Sequence, residues 1–175
     1  MHKRICIIDS SSAIILQKAG IFHLLPGIYF LKASESVYGE LTGSDHAGTE
    51  IFMRFAESGM MDVLKTPEIS DVKDTPDQRL FRLDPGERDS IILYFSGAGE
   101  FIILDDGDGA SFCRERQIPH INSILVPKVL FFSGKITIEE CQNKMAEIIS
   151  IGRYSYRVID FAVKCDRNHL EKFIV

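Results

Sequence analysis

Two apolar runs closed by acids constrain this chain more than any other feature. Arg4-Ile5-Cys6-Ile7-Ile8-Asp9 and Phe101-Ile102-Ile103-Leu104-Asp105-Asp106 are continuous apolar segments, short for a helix and ended by carboxylates. A continuous rather than alternating run suits a strand covered on both faces, and so a parallel sheet between helices. The rest of the chain alternates in the same way. Ser10–Ser12 offer caps for an apolar helix that Gly20 stops. Ile28–Leu31 reads as a second strand, and Ser34 caps a short helix through Leu41. Ala47–Ser58 is amphipathic, with Ile51, Phe52 and Phe55 inward. Met60–Leu64 is a third strand, and Lys65–Gln78, polar with two prolines, is a loop. Asp84-Pro85-Gly86-Glu87 opens a helix with Asp84 at N-cap and Pro85 at N1. Gly107–Gln117 is helical, Pro119–Ile121 is a short strand, and a helix capped at Asn122 or Ser123 runs to Phe132. Thr137 caps another helix to about Ile151, and a last helical stretch covers roughly Tyr154–Cys165. This order predicts an α/β fold, a mainly parallel central sheet of four to five strands with helices on both faces. The chain reads as one domain, with a core over about 4–135 and a C-terminal helical extension over about 136–175.

Composition supports that reading and excludes others. At 175 residues, 45% apolar and 26% charged, the chain is that of an ordinary globular domain able to bury a core. Its longest apolar runs, such as Ile5–Ile8 and Ile121–Phe132, fall short of the roughly 20 residues a membrane span needs. Met1-His2-Lys3-Arg4 leads straight into a strand, so no signal peptide is expected. Cys6, Cys113, Cys141 and Cys165 are widely spaced with no CxxC pair, which points to reduced thiols, a cytoplasmic setting and no structural zinc. The net charge of −5 argues against coating nucleic acid by charge alone. It leaves room for a nuclease, because acids gathered around a divalent metal overstate the negative charge that a substrate meets.

The acids are the chemistry-bearing residues. Open parallel sheets bind ligands at the carboxyl ends of their strands, where strand order reverses. Asp9 ends the first strand and Asp105 and Asp106 end a later one. A crossover helix starts at that edge, bringing Asp89 near it, and Glu40 on the short helix after the second strand can reach it. Four carboxylates cannot all stay ionised there without a cation, and hard oxygen donors suit Mg²⁺ or Mn²⁺. Ser10 and Ser11 are expected to do the capping, which leaves Asp9 for the metal; Ser11 is also a candidate to orient water. Glu87 has a competing role as the N3 member of a capping box with Asp84, whereas Asp89 has no capping role and is a poor helix former. Residues two apart on a helix do not share a face, so one of the pair enters the site, and Asp89 is preferred. Asp105 and Asp106 are adjacent and point to opposite sides if the strand persists. Asp108 sits in Asp106-Gly107-Asp108-Gly109, but Ala110 stands where a calcium loop needs a third ligand, so Asp108 is kept as an acid reaching the cation through water. Arg88, Arg114, Arg116 and Lys128 flank the crevice as candidate phosphate contacts, although scattered basic residues are more often a solvated face. His120, near the same edge, is a candidate to touch substrate phosphate, although a packed or surface histidine is the commoner reading.

Ile7-Ile8-Asp9-Ser10-Ser11, Ser36-Val37-Tyr38-Gly39-Glu40-Leu41, Pro85-Gly86-Glu87-Arg88-Asp89-Ser90-Ile91 and Ile102-Ile103-Leu104-Asp105-Asp106 resemble the acid motifs of the PIN domain family, in the right order. Gln117-Ile118-Pro119, followed by a capped apolar helix and Gly134, fits as well, so the resemblance covers about residues 4–135. It is closest to the subgroup whose third motif is a Gly-Glu pair opening a helix. The resemblance implies a three-layer α/β/α fold and an endoribonuclease that cleaves single-stranded RNA by metal-activated water. It implies that Asp9, Glu40, Asp89 and Asp106 are the catalytic acids and the ligands of Mg²⁺ or Mn²⁺, with Asp105, Asp108, Glu87 and Ser11 as secondary candidates and Arg114, Arg116 and Lys128 toward the substrate. The chain departs from the family at Leu104, where many members carry threonine, and in the double acid of its third motif. The resemblance also suggests the toxin of a toxin–antitoxin pair, with an antitoxin protein as partner; a homodimer is a separate candidate, through the C-terminal helices and Val126–Phe132.

Two other readings compete. A phosphatase of the haloacid dehalogenase class needs a D-x-D-x-T start, and here Ser11 and Ala13 stand where the second Asp and the Thr belong. A non-catalytic interaction module would keep the fold and act through a protein partner, using the apolar run Val126–Phe132 and the C-terminal helices.

Overall fold

The computed structural model describes residues 3–43, 48–69, 78–105 and 107–175. Asp106, Ala47 and most of the Lys65–Gln78 stretch lie outside the described residues. Five parallel strands form the sheet: β1 (Arg4–Ile8), β2 (Tyr29–Ser34), β3 (Met61–Leu64), β4 (Phe101–Ile103) and β5 (His120–Ile121), in the order β3-β2-β1-β4-β5. Among the described residues eight α-helices accompany them: α1 (Ser10–Lys18), α2 (Glu35–Thr42), α3 (Thr49–Glu57), α4 (Pro85–Phe95), α5 (Gly107–Glu115), α6 (Val126–Phe132), α7 (Ile138–Ile151) and α8 (Tyr156–Lys164). The expected α/β fold with helices on both faces of a parallel sheet is the one observed.

The buried runs explain the layering. Side chains alternate between faces along a strand, so Cys6 and Ile8 enter one core and Ile7 the other. The first core joins Tyr29, Leu31, Phe101 and Ile103 to Leu16 of α1, Leu130 of α6 and Ile148 of α7. The second joins Ile7, Ile102 and Leu104 to Ile91 of α4 and Phe112 of α5. The C-terminal stretch returns to the amino ends of the strands. The Tyr29 hydroxyl donates to the Phe173 carbonyl, and the Phe101 ring meets those of Tyr29 and Phe173 edge-on at centroid distances of 5.0 and 5.1 Å.

The register places the candidate site. β1 pairs β2 on one side (Cys6 with Leu31) and β4 on the other (Ile8 with Ile103). The chain therefore leaves β1 toward β2 and β3, then crosses back to β4 and β5, and strand order reverses beside β1. A crevice opens at the carboxyl ends of strands at such a point. Asp9 stands there, its backbone N–H donating to the Ile103 carbonyl at 3.1 Å.

Several local expectations change. The second strand runs Tyr29–Ser34, because Phe22–Gly27 is taken up in a 3₁₀ turn before it. The helix expected from Asn122 begins as a 3₁₀ turn, Ser123–Leu125, and becomes α-helical at Val126, with Pro127 in the first turn, where its missing N–H costs nothing. Ser34 caps α2 through the Val37 N–H, and Thr137 with Glu140 completes a capping box on α7. The last helix is shorter than expected, Tyr156–Lys164, because Ser155 caps it through the Val158 N–H.

Candidate active site

Asp9 caps α1, contrary to the expectation that Ser10 and Ser11 do so. The helix begins at Ser10, and the Asp9 carboxylate accepts from the Ser11 N–H at 3.1 Å and from the Ser11 hydroxyl at 2.5 Å. Asp9 follows the strand with extended backbone (φ −83°, ψ 157°), the conformation an N-cap requires, and this is why the acid rather than a serine takes the position. Capping and ligation are compatible, since one carboxylate has about four acceptor sites. Asp9 is only 2% exposed. Burial raises its pKa to about 6; the hydrogen bonds from Ser11 and Ser10 oppose the rise and the nearby Glu40 charge adds to it.

Glu40 reaches the same place from α2. The Ser10 hydroxyl donates to its carboxylate. Gly86 makes this approach possible, because a Cβ there would stand 3.1 and 3.2 Å from the two Glu40 oxygens. Glu87, the next residue of α4, is 6% exposed, and its carboxylate packs against Gly109 of α5, whose added Cβ would lie 3.3 Å from it. Asp9, Glu40 and Glu87 thus come from β1, α2 and α4 to line one cavity of about 380 Å³, with Ser10, Ser11, Asp84, Pro85 and Gly86 completing its wall.

The choice within the third motif goes against the sequence expectation. Asp84 occupies the N-cap position of α4 without a side-chain cap hydrogen bond, so the capping box that would have occupied Glu87 is not formed. Two residues along α4 turn Asp89 roughly 200° away from Glu87. Asp89 accepts from the Ser36 hydroxyl at 2.7 Å and pairs with Arg88 Nε at 3.3 Å, outside the cavity. The signal that could have found Glu87 is the glycine before it. A glycine in the first turn of a helix, where alanine is preferred, marks a close approach by another group.

Asp105 is enclosed in a different way. It accepts from the Ser12 hydroxyl (2.9 Å), the Ser123 N–H (3.0 Å), the Ser123 hydroxyl and the Tyr154 hydroxyl (2.8 Å). Burial raises its pKa and these hydrogen bonds oppose the rise. It joins β4 to α1, to the turn before α6 and to the segment between α7 and α8. Nothing in the sequence marked Ser12, Ser123 or Tyr154 for this role, because they come together only across 18 to 111 residues of chain. Asp106, the preferred member of the pair, lies outside the described residues.

The other candidates are placed elsewhere. Asp108 lines a neighbouring cleft, with Arg79 and Arg82 on its opposite wall. Arg88 is held by Asp89, and Arg116 lies over the Phe112 ring at 5.8 Å. Arg114, exposed on α5, does not line the acid cavity. Lys128, expected near phosphate, instead donates to the Val163 and Cys165 carbonyls at 2.7 and 2.5 Å, satisfying the C-terminus of α8. His120 is half-buried, contacts the Ile118 carbonyl at 2.9 Å and has its pKa lowered chiefly by burial, in keeping with a packed histidine. All four cysteines are free and buried. Among the described residues no helix is long and apolar enough to cross a membrane.

Among the described residues no three His, Cys, Asp or Glu side chains stand close enough to hold a metal ion as they are. The donor set still suits a hard divalent cation. Asp9, Glu40 and Glu87 face one cavity that Asp84 also lines; Glu40 and Glu87 are seated against glycines where a Cβ would fill the space, and Asp9 is held above its ordinary pKa by burial. No curated protein and no solved structure is significantly similar to the chain. The PIN domain family model matches residues 5–162, from β1 into α8 and across all three of these acids, and the chain belongs to the PIN domain family.

Proposed function

We propose that the chain is a divalent-metal-dependent endoribonuclease acting on single-stranded RNA. PIN domains are generally nucleases, and what supports this reading here is the convergence of Asp9, Glu40 and Glu87 from three elements on one cavity at the switch point of the sheet. Asp9, Glu40 and Glu87 would hold Mg²⁺ or Mn²⁺. The cation supplies Lewis acidity, lowering the pKa of water and offsetting the charge that builds on a scissile phosphate. The chain contributes orientation: Ser11 fixes the Asp9 carboxylate and Ser10 fixes that of Glu40. With both serine hydroxyls donating to carboxylates, no covalent nucleophile is assigned, and the reaction is hydrolysis by water.

The test is cleavage of a labelled single-stranded RNA in Mn²⁺. Asp9→Asn and Glu87→Gln are each expected to lose on the order of 100-fold in rate, the scale for removing one group that stabilises transition-state charge. Asp89→Asn, whose carboxylate is held outside the cavity, keeps most of the activity. Thermal unfolding of each variant establishes that the fold is retained. Wild-type rates in a folded Asp9→Asn variant overturn the reading.

A further inference from the structure

A second cleft lies beside the acid cavity. It encloses about 260 Å³ between the 3₁₀ turn Gln78–Arg82 and α5. Asp108, Ser111, Phe112 and Glu115 line it at i, i+3, i+4 and i+7, one stripe of the helix, and Arg79 and Arg82 face them from the turn. The two cavities adjoin at consecutive residues of the chain. Leu83 lines this cleft while Asp84, about 3.8 Å further along the chain, lines the acid cavity. Asp108 lines the cleft while the next residue, Gly109, abuts the Glu87 carboxylate. A polynucleotide with its scissile phosphate at the acids therefore brings a neighbouring nucleotide to this cleft.

The lining suits such an occupant. The volume lies below the roughly 300–1,000 Å³ of sites for drug-sized ligands, and fits one ring system. Phe112 and Leu83 provide apolar surface for a base. Arg79 is paired with Glu115, whereas Arg82 presents an exposed guanidinium suited to a phosphate. The Asp108 carboxylate accepts hydrogen bonds and donates none. Single-stranded RNA is read on its base edges, where adenine and cytosine each carry an amino donor. The one imide N–H of uracil is flanked by two carbonyls that a carboxylate repels.

We propose that this cleft binds the nucleotide adjoining the scissile phosphate, with Arg82 on its backbone phosphate and Asp108 accepting from the exocyclic amino group of its base. The assignment rests on the endoribonuclease reading. It predicts that in Mn²⁺ the wild-type chain cleaves oligo(A) and oligo(C) with kcat/KM roughly fivefold or more above oligo(U). Arg82→Ala is expected to raise KM for all three alike with kcat unchanged, and to reduce the slope of log kcat/KM against log salt by about 0.7, one phosphate contact on a single strand. Asp108→Asn is expected to erase the base preference and leave the salt slope as it was. If the wild-type chain cleaves none of the three, the endoribonuclease reading falls and this inference with it. If it cleaves them, but Arg82→Ala keeps the wild-type KM and salt slope or Asp108→Asn keeps the wild-type preference, only the inference is overturned.

Discussion

Asp9 carries two demands that pull against each other. As the N-cap of α1 it accepts from Ser11, and as a buried acid beside Glu40 it is costly to ionise. Its folded pKa of about 6 stands above its ordinary value of 3.8, so between these pH values the native state binds more protons than the unfolded chain. Stability attributable to Asp9 is therefore greatest below pH 3.8 and falls as pH rises through 6. The difference amounts to on the order of 3 kcal/mol at neutral pH and above. Asn keeps the capping oxygen without the charge. In chelator, Asp9→Asn is expected to melt roughly 5–10 °C above the wild type at pH 8, with the gap closing toward pH 4. Mn²⁺ should raise the melting temperature of the wild type and not that of the variant. Calorimetry across pH checks this, and coincident midpoints at pH 8 would show that the Asp9 charge is not destabilising. At this scale the sequence brought Asp9 and Glu40 to the sheet edge where the cavity lies, but it assigned Glu87 to a helix cap. Whether Asp84 turns back to cap α4 depends on what surrounds the helix, and the local pattern holds no record of that.

At the scale of elements, glycines set how closely the acids approach one another. Gly86 admits the Glu40 carboxylate to the first turn of α4, and Gly109 admits that of Glu87 to α5. An alanine at Gly109 would place its Cβ 2.9 Å from Leu104 Cδ2 and 3.3 Å from the Glu87 carboxylate. Leu104 can shift by rotating its side chain, and the gain in helix propensity, up to ~1 kcal/mol, offsets that shift. The Glu87 carboxylate must give by a few tenths of an ångström. On the proposed endoribonuclease function, Gly109→Ala is therefore expected to melt near the wild-type temperature while losing about 10–100-fold in kcat, the effect of a small displacement of a group that holds the cation. Steady-state kinetics alongside a melting curve separate the two effects, and full activity would mean that Glu87 tolerates the displacement. The elements themselves were readable along the chain, because continuous apolar runs, Ser34, Thr137 and Pro85 act within a few residues. Their ends were less so. Tyr29–Ser34 and Tyr156–Lys164 differ from expectation where a 3₁₀ turn or a serine cap competes for the same backbone groups.

Across the whole molecule, Asp105 is the point where distant segments meet. Tyr154, from the link between α7 and α8, donates to it alongside Ser12 and Ser123, and Gly152 leaves room for the tyrosine ring, which a Cβ would overlap. The C-terminal helices are thus tied to the same sheet edge that carries Asp9. Tyr154→Phe removes one hydrogen bond to a buried carboxylate that keeps its others, and is expected to cost about 1.5 kcal/mol. Urea unfolding with an unchanged m-value reads this directly. A loss below ~0.5 kcal/mol would mean that Tyr154 adds nothing to what the serines already supply.

The sequence by itself determined the parallel α/β fold, the position of Asp9 at a strand end and the presence of Glu40 near it. Those follow from apolar periodicity, strand polarity and the rule that open sheets bind ligands where strand order reverses, all of which operate over short stretches of chain. Only the tertiary structure decided that Glu87 rather than Asp89 faces the cavity, that Asp105 is enclosed by two serines and a tyrosine, and that Lys128 serves α8 instead of a substrate. Each of those outcomes depends on which groups meet across tens of residues. A carboxylate or an amine with several acceptors or donors within reach of its own segment has no local preference strong enough to choose among them.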